Sequence, residues 1–135
     1  MKSLITIITL LIFPLLLQAQ KKASWQGTFS NGYKGATISF NISSDGKRLE
    51  DLTFIGYWRC SGGIEQITIG PDKSFPIQNG RVASVITEPE NGGASAFRFD
   101  LNAIISSKSA SGTLRINLNA LGCDTYKLNW TAQNK

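Results

Sequence analysis

Apolar and polar residues alternate with a period of two over most of the chain after residue 20. Ile38, Phe40 and Ile42, for example, alternate with threonine, serine and asparagine. This alternation is typical of a β-strand that has one buried face and one polar face. Together with the intervening turns, it predicts eight strands, at about residues 24–30, 35–43, 49–60, 64–70, 81–87, 95–105, 110–119 and 124–132.

Short turn sequences separate the predicted strands. Asn-Gly, Asp-Gly and Gly-Gly pairs favour tight turns, and they occur at positions 31–32, 45–46, 62–63, 79–80 and 91–93. No segment after residue 20 has the period of a helix. The chain is therefore predicted to be all-β, an antiparallel β-sandwich of about eight strands, with an up-and-down β-barrel as the alternative.

The first twenty residues predict an export signal. A positive start at Lys2 precedes an apolar run from Leu4 to Leu17, and the small residue Ala19 follows near its end. The run is shorter than the roughly 20 residues that a membrane-spanning helix needs. We expect a signal peptide at 1–20, cleaved after Ala19 or Gln20, and a single domain at 21–135. The mature protein is predicted to be secreted or periplasmic, without stable membrane insertion.

The two cysteines, Cys60 and Cys123, both lie in the part predicted to be exported. In an oxidising compartment an even pair favours a disulfide over two free thiols. Cys123 is out of phase with the alternation of Tyr126 and Trp130, two predicted inward residues of the last strand. A turn or bulge at 124–125 would reconcile the two patterns.

The cysteine also assigns the side chains of the third predicted strand to faces. If Cys60 points inward to reach its partner, Trp58 points inward as well and packs in the core. Ile55, Tyr57 and Arg59 then point outward. Trp25 and Trp130 fall in phase with apolar neighbours on their own strands, so both are predicted to be buried.

Composition excludes several kinds of chemistry. The chain has no histidine, which removes Ser-His-Asp and Cys-His catalysis and histidine-ligated zinc. Its 14 Lys and Arg exceed its 9 Asp and Glu, but the basic residues are spread singly. A nucleic-acid surface would need a basic patch interleaved with stacking aromatics. We predict no nucleic-acid partner, no metal and no cofactor.

Paired carboxylates would be needed for a hydrolase that acts on sugars. Glu88 and Glu90 have the spacing of one strand face, but Pro89 between them indicates a loop or the end of a sheet. Glu50 and Asp51 are adjacent and would point in opposite directions on a strand. A small carboxylate-dependent hydrolase is therefore the alternative rather than the leading hypothesis.

Exposed aromatic rings suggest binding, because rings can stack on the faces of sugars. The candidates are Tyr57, with Arg59 on the same predicted outward face, and Tyr33, which follows the turn at 31–32. The sequence predicts no cluster of exposed rings. The leading hypothesis is a non-catalytic binding or interaction module whose ligand is a carbohydrate or a protein partner.

The chain carries a set of short motifs: Trp25-x-Gly27, Gly35-x-x-Ile38-Ser39-Phe40, Cys60, Ile77-x-Asn79-Gly80, the segment Ser109–Leu114, and Cys123 ahead of Trp130-Thr131-Ala132. Together these motifs resemble those of small secreted bacterial β-sandwich domains. The chain departs from the pattern at Arg81-Val82, where an aromatic strand residue often follows the turn. The resemblance implies an exported β-sandwich with a disulfide, and it implies no activity.

Overall fold

The computed structural model describes residues 23–135, and the predicted export signal lies outside the described residues. Within these residues the chain forms ten strands and one short 3-10 helix, η1. They are β1 (Ala23–Phe29), β2 (Thr37–Ile42), β3 (Arg48–Cys60), β4 (Gly63–Ile69), β5 (Phe75–Pro76), β6 (Arg81–Glu88), β7 (Phe97–Ile105), β8 (Ser109–Leu118), η1 (Asn119–Leu121), β9 (Cys123–Asp124) and β10 (Leu128–Asn134).

All strand pairings are antiparallel, and six of the strands close into a ring. The ring runs β10, β1, β2, β3, β9 and β8, and it closes because β10 also pairs with β8. Strands β7 and β6 extend the sheet beyond β8, while β4 and β5 pair with β3. The predicted class, an all-β antiparallel fold of sandwich or barrel character, is confirmed.

The two longest strands of the ring, β3 and β8, come together at one corner. Arg59 pairs with β4 on one edge of β3 and with Asp124 of β9 on the other edge, the edge that β2 also uses. The same two-residue strand β9 pairs with the end of β8. In one direction around the ring, three strands (β2, β1 and β10) lie between β3 and β8. In the other direction only β9 lies between them.

A disulfide links β3 to β9 at this corner. Cys60 ends β3 and Cys123 begins β9, and their sulfurs are bonded at 2.01 Å. The predicted disulfide is confirmed. It links two strands that pair at this corner of the ring. A cross-link over 63 positions is worth roughly 4 kcal/mol in the chain-entropy model.

The face assignment of β3 is confirmed. Trp58 is 5% exposed and stacks on Phe97 with ring centroids 6.3 Å apart, whereas its neighbour Tyr57 is 38% exposed. Trp25 and Trp130 are buried as predicted, on either side of Phe40. The alternation of side chains along a strand accounts for all of these positions.

Tyr126 is the exception among the predicted inward residues, and the assignment is wrong. The last predicted strand breaks into β9 and β10, and Tyr126 lies between them with φ of 55° and an exposed side chain. Thr125 holds the break in place. Its buried hydroxyl accepts a hydrogen bond from the Ile116 N–H at 2.9 Å and donates one to the Tyr126 carbonyl at 2.8 Å.

Candidate functional site

Tyr33 and Tyr57 meet on the outer surface of the fold. Their ring centroids are 6.0 Å apart with an interplanar angle of 64°, an edge-to-face arrangement. Both rings remain more than one-third exposed. The prediction that exposed rings do not cluster is therefore wrong for this pair, because the loop between β1 and β2 folds back over the end of β3.

The Tyr33 loop is held in place by its own turn residues. Gly32 and Gly35 have φ of 83° and 86°, a region that glycine adopts at little cost. The Asn31 side chain donates to the Lys127 carbonyl at 3.0 Å and accepts from the Asn129 N–H at 2.7 Å. These bonds attach the loop to the start of β10, so Tyr33 has a defined position before any ligand arrives.

Tyr57 shares its face of β3 with two other predicted outward residues. Ile55 and Arg59 are both exposed, and each lies two residues from Tyr57, about 7 Å along the strand. We call Tyr33, Ile55, Tyr57 and Arg59 the tyrosine patch. The three candidate binding residues predicted from sequence all lie within this patch.

Arg59 presents its guanidinium without a carboxylate partner in the described part of the chain. Asp124 lies directly opposite Arg59 in the strand register, but Arg115 holds that carboxylate. Arg115 donates to both Asp124 oxygens, at 3.1 and 2.6 Å, and the hydrogen bonds raise the pKa of Arg115. The donors of Arg59 therefore remain available to a ligand.

Tyr126 is a third exposed tyrosine near this surface, and sequence reasoning missed it. The Arg115 guanidinium lies 5.9 Å from the centre of its ring. The Asn31 hydrogen bond to Lys127 attaches the Tyr33 loop to the residue that follows Tyr126. The sequence did contain a signal for this exposure, because Cys123 is out of phase with the alternation of the last predicted strand. That mismatch predicted a turn or bulge at 124–125, whereas the residue with positive φ is Tyr126.

The carboxylates proposed for hydrolysis have structural partners. Glu88 accepts the N–H of Asp72 at 2.7 Å, and Glu90 pairs with the Lys73 ammonium at 2.9 Å. The hydrogen bond from Lys73 lowers the pKa of Glu90. A general acid for glycoside cleavage needs a raised pKa, so the shift at Glu90 is in the wrong direction.

The second pair of carboxylates considered for hydrolysis, Glu50 and Asp51, lies at a β-bulge. Ser39 pairs with Thr53 and Asn41 pairs with Glu50, so β3 carries one extra residue there. Asp51 takes φ of 53° and accepts a hydrogen bond from Asn41 at 2.9 Å. The backbone irregularity accounts for this geometry without a catalytic role.

Cys60, Glu65 and Cys123 place their ligand atoms within 4.8 Å of one another. The two sulfurs are bonded to each other, so neither is available as the thiolate that a metal ion requires. The cluster is therefore a disulfide beside a carboxylate.

Comparisons of the chain with protein-family models, with curated proteins and with solved structures found no match. The resemblance to small secreted β-sandwich domains therefore stays a prediction. Among residues 23–135, no helix has the length and apolar character to span a membrane.

Proposed function

We propose that this protein is an exported, non-catalytic module that binds carbohydrate through the tyrosine patch. The observation that carries the proposal is the exposed pair of Tyr33 and Tyr57 beside the guanidinium of Arg59, which has no carboxylate partner among residues 23–135. Aromatic rings offer an apolar face to the C–H groups of a sugar, and a guanidinium donates hydrogen bonds to its hydroxyls.

The rigidity of the patch supports binding by a preformed surface. Tyr57 lies on a central strand, and the Asn31 hydrogen bonds hold the Tyr33 loop against β10. Ordering flexible side chains and loops costs free energy on binding, and a preformed site avoids much of that cost. Export is supported by the disulfide and by the signal pattern at residues 1–20.

A glycan array probed with the disulfide-intact protein tests the proposal. We expect at least one glycan class to bind, and we expect Tyr57→Ala and Tyr33→Ala each to reduce its affinity at least tenfold. Val85→Ala is the matched control, because Val85 is an exposed apolar residue on the outlying strand β6. Unchanged affinity in both tyrosine variants would refute the assignment of the patch.

The same samples address hydrolysis. If the bound glycan gained new reducing ends on incubation, and Glu88→Gln abolished them, the module would be an enzyme. We expect no cleavage, because Glu88 and Glu90 hold the segment at 72–73 in place. N-terminal sequencing of the exported protein tests the signal, with Gln20 or Lys21 expected as the first residue.

A further inference from the structure

The outer surface of three adjacent strands, β10, β1 and β2, carries an unusual set of side chains. All nine outward-facing positions on these strands are serine, threonine, asparagine or glutamine. A surface that only has to remain soluble carries about 25–35% charged residues. Nine positions would then hold two or three charges, and these positions hold none.

Two depressions lie side by side on this surface. Their volumes are about 440 and about 370 Å³, and they share Gln26, Gly27, Thr28 and Lys135 in their linings. We call the combined depression the trough. Its hydroxyl and amide side chains belong to Gln26, Thr28, Thr37, Ser39, Ser106, Ser109, Ser111, Thr131 and Gln133.

Small residues lie beneath the trough. Gly27, Ala110 and Ala132 face inward on three neighbouring strands and belong to the lining of the larger depression. A Cβ at Gly27 would collide with the Thr131 carbonyl oxygen, so the strands approach each other closely there.

An exposed isoleucine lies at each end of the trough. The strand register places Ile104, Ser111, Thr131, Thr28, Thr37 and Ile55 directly opposite one another across six strands. Five interstrand steps of about 4.8 Å give a path of about 24 Å, measured along the curved outer surface of the ring. Ile55 also belongs to the tyrosine patch, so the trough leads to Tyr57 without a break.

We infer that the trough binds a neutral polysaccharide chain that follows the curved outer surface of the ring and whose end occupies the tyrosine patch, an inference that rests on the proposed function. Hydroxyl and amide side chains both donate and accept hydrogen bonds, which matches the hydroxyls of a sugar chain. The two isoleucines supply apolar contacts. An anionic chain would leave its carboxylates or sulfates facing uncharged groups over most of the trough, because Lys135, which lines both depressions, is the one charged residue in the two linings.

The experiment measures retention of the protein in affinity gels that contain neutral polysaccharides (glucans, xylan, mannan) or anionic ones (alginate, polygalacturonate). Oligosaccharides of increasing length from the retained polymer are then titrated by calorimetry. The test variant is Gln26→Leu with Thr28→Val, which removes hydrogen-bonding groups from the centre of the trough and keeps side-chain bulk. Gln78→Leu with Thr87→Val is the matched control outside the trough.

We expect retention by a neutral polymer, affinity that rises with oligosaccharide length, and loss of that rise in the trough variant. Two neutral hydrogen bonds correspond to a loss of about tenfold or more for the longest ligand. A disaccharide should bind the variant and the wild type equally, because it reaches only the tyrosine patch.

Three results would overturn the inference: preferential retention by an anionic polymer, affinity independent of length, or a trough variant that binds long ligands normally. In each of these cases the binding of a short ligand to Tyr57→Ala tests the proposed function separately. If the tyrosine patch is the site, this variant no longer binds the short ligand. Retention by no polysaccharide at all would refute the trough inference, and the glycan array would still decide the proposed function.

Discussion

Replacing Trp58 and its neighbour Tyr57 tests how β3 is positioned. Trp58 is 5% exposed, and a buried tryptophan removes roughly 200 Å² from water, worth about 5 kcal/mol. Its indole N–H is buried without a hydrogen-bond partner among residues 23–135, and deleting it recovers about 1–2 kcal/mol of desolvation cost. Trp58→Ala should therefore lower the free energy of unfolding by about 3–4 kcal/mol.

Two further variants are expected to lose less free energy of unfolding than Trp58→Ala and serve as comparisons. Trp58→Phe keeps a ring against Phe97 and also removes the unpartnered N–H, so its loss should be only about 1 kcal/mol. Tyr57→Ala should lose about 1 kcal/mol or less, because it gives up a surface contact with Tyr33. Trp58→Phe keeps the test informative if Trp58→Ala does not fold.

Guanidinium unfolding of the disulfide-intact proteins, followed by far-UV circular dichroism, measures these differences. The slope of each transition should match that of the wild type, which shows that the same surface is exposed on unfolding. A larger loss in Tyr57→Ala than in Trp58→Ala would refute the assignment, because it would mean that β3 is displaced by one residue.

Four other predictions follow from the fold. Thr125→Val should cost about 1–3 kcal/mol in chemical unfolding, because a buried N–H of β8 loses its acceptor. Gly27→Ala should cost about 1–3 kcal/mol by collision with β10, whereas Gly62→Ala, with nothing described within 4 Å of the new Cβ, should leave stability within about 0.5 kcal/mol. Removing the disulfide by paired serine substitutions should cost about 2–5 kcal/mol, seen as a lower denaturation midpoint. The Ser43 hydroxyl lowers the pKa of Asp45, so Ser43→Ala should raise that pKa in a carbon-13 NMR titration, and an unchanged pKa would contradict the hydrogen bond.

Local pattern was sufficient to predict the strands and their faces. Alternation from Ile38 to Ile42, and from Leu52 to Cys60, assigns each side chain to the core or to solvent, and turn glycines mark where strands end. These properties depend on neighbours within a few residues, which is why they can be derived without knowing the fold. The pairing of the two cysteines followed from their number and from the predicted export.

The alternation of residues gave a wrong prediction at Tyr126, where a positive φ angle interrupts the strand and changes which side chains point inward. The residues at 124–132 were predicted to form one strand with a turn or bulge at 124–125, but Tyr126 adopts positive φ and leaves the sheet. The buried hydroxyl of Thr125 compensates the broken ladder by bonding to β8, a strand that the local sequence does not identify as its neighbour.

The candidate site depends on which strands become neighbours. The sequence determined that Tyr57 points outward and that Tyr33 lies in a turn, but only the tertiary structure decided that the two rings meet and that Arg115 takes Asp124 away from Arg59. The trough likewise needs β10 to lie between β1 and β8. Alternation fixes the direction of a side chain within its own strand, whereas contacts between strands depend on register and sheet order, which are set by packing over the whole fold.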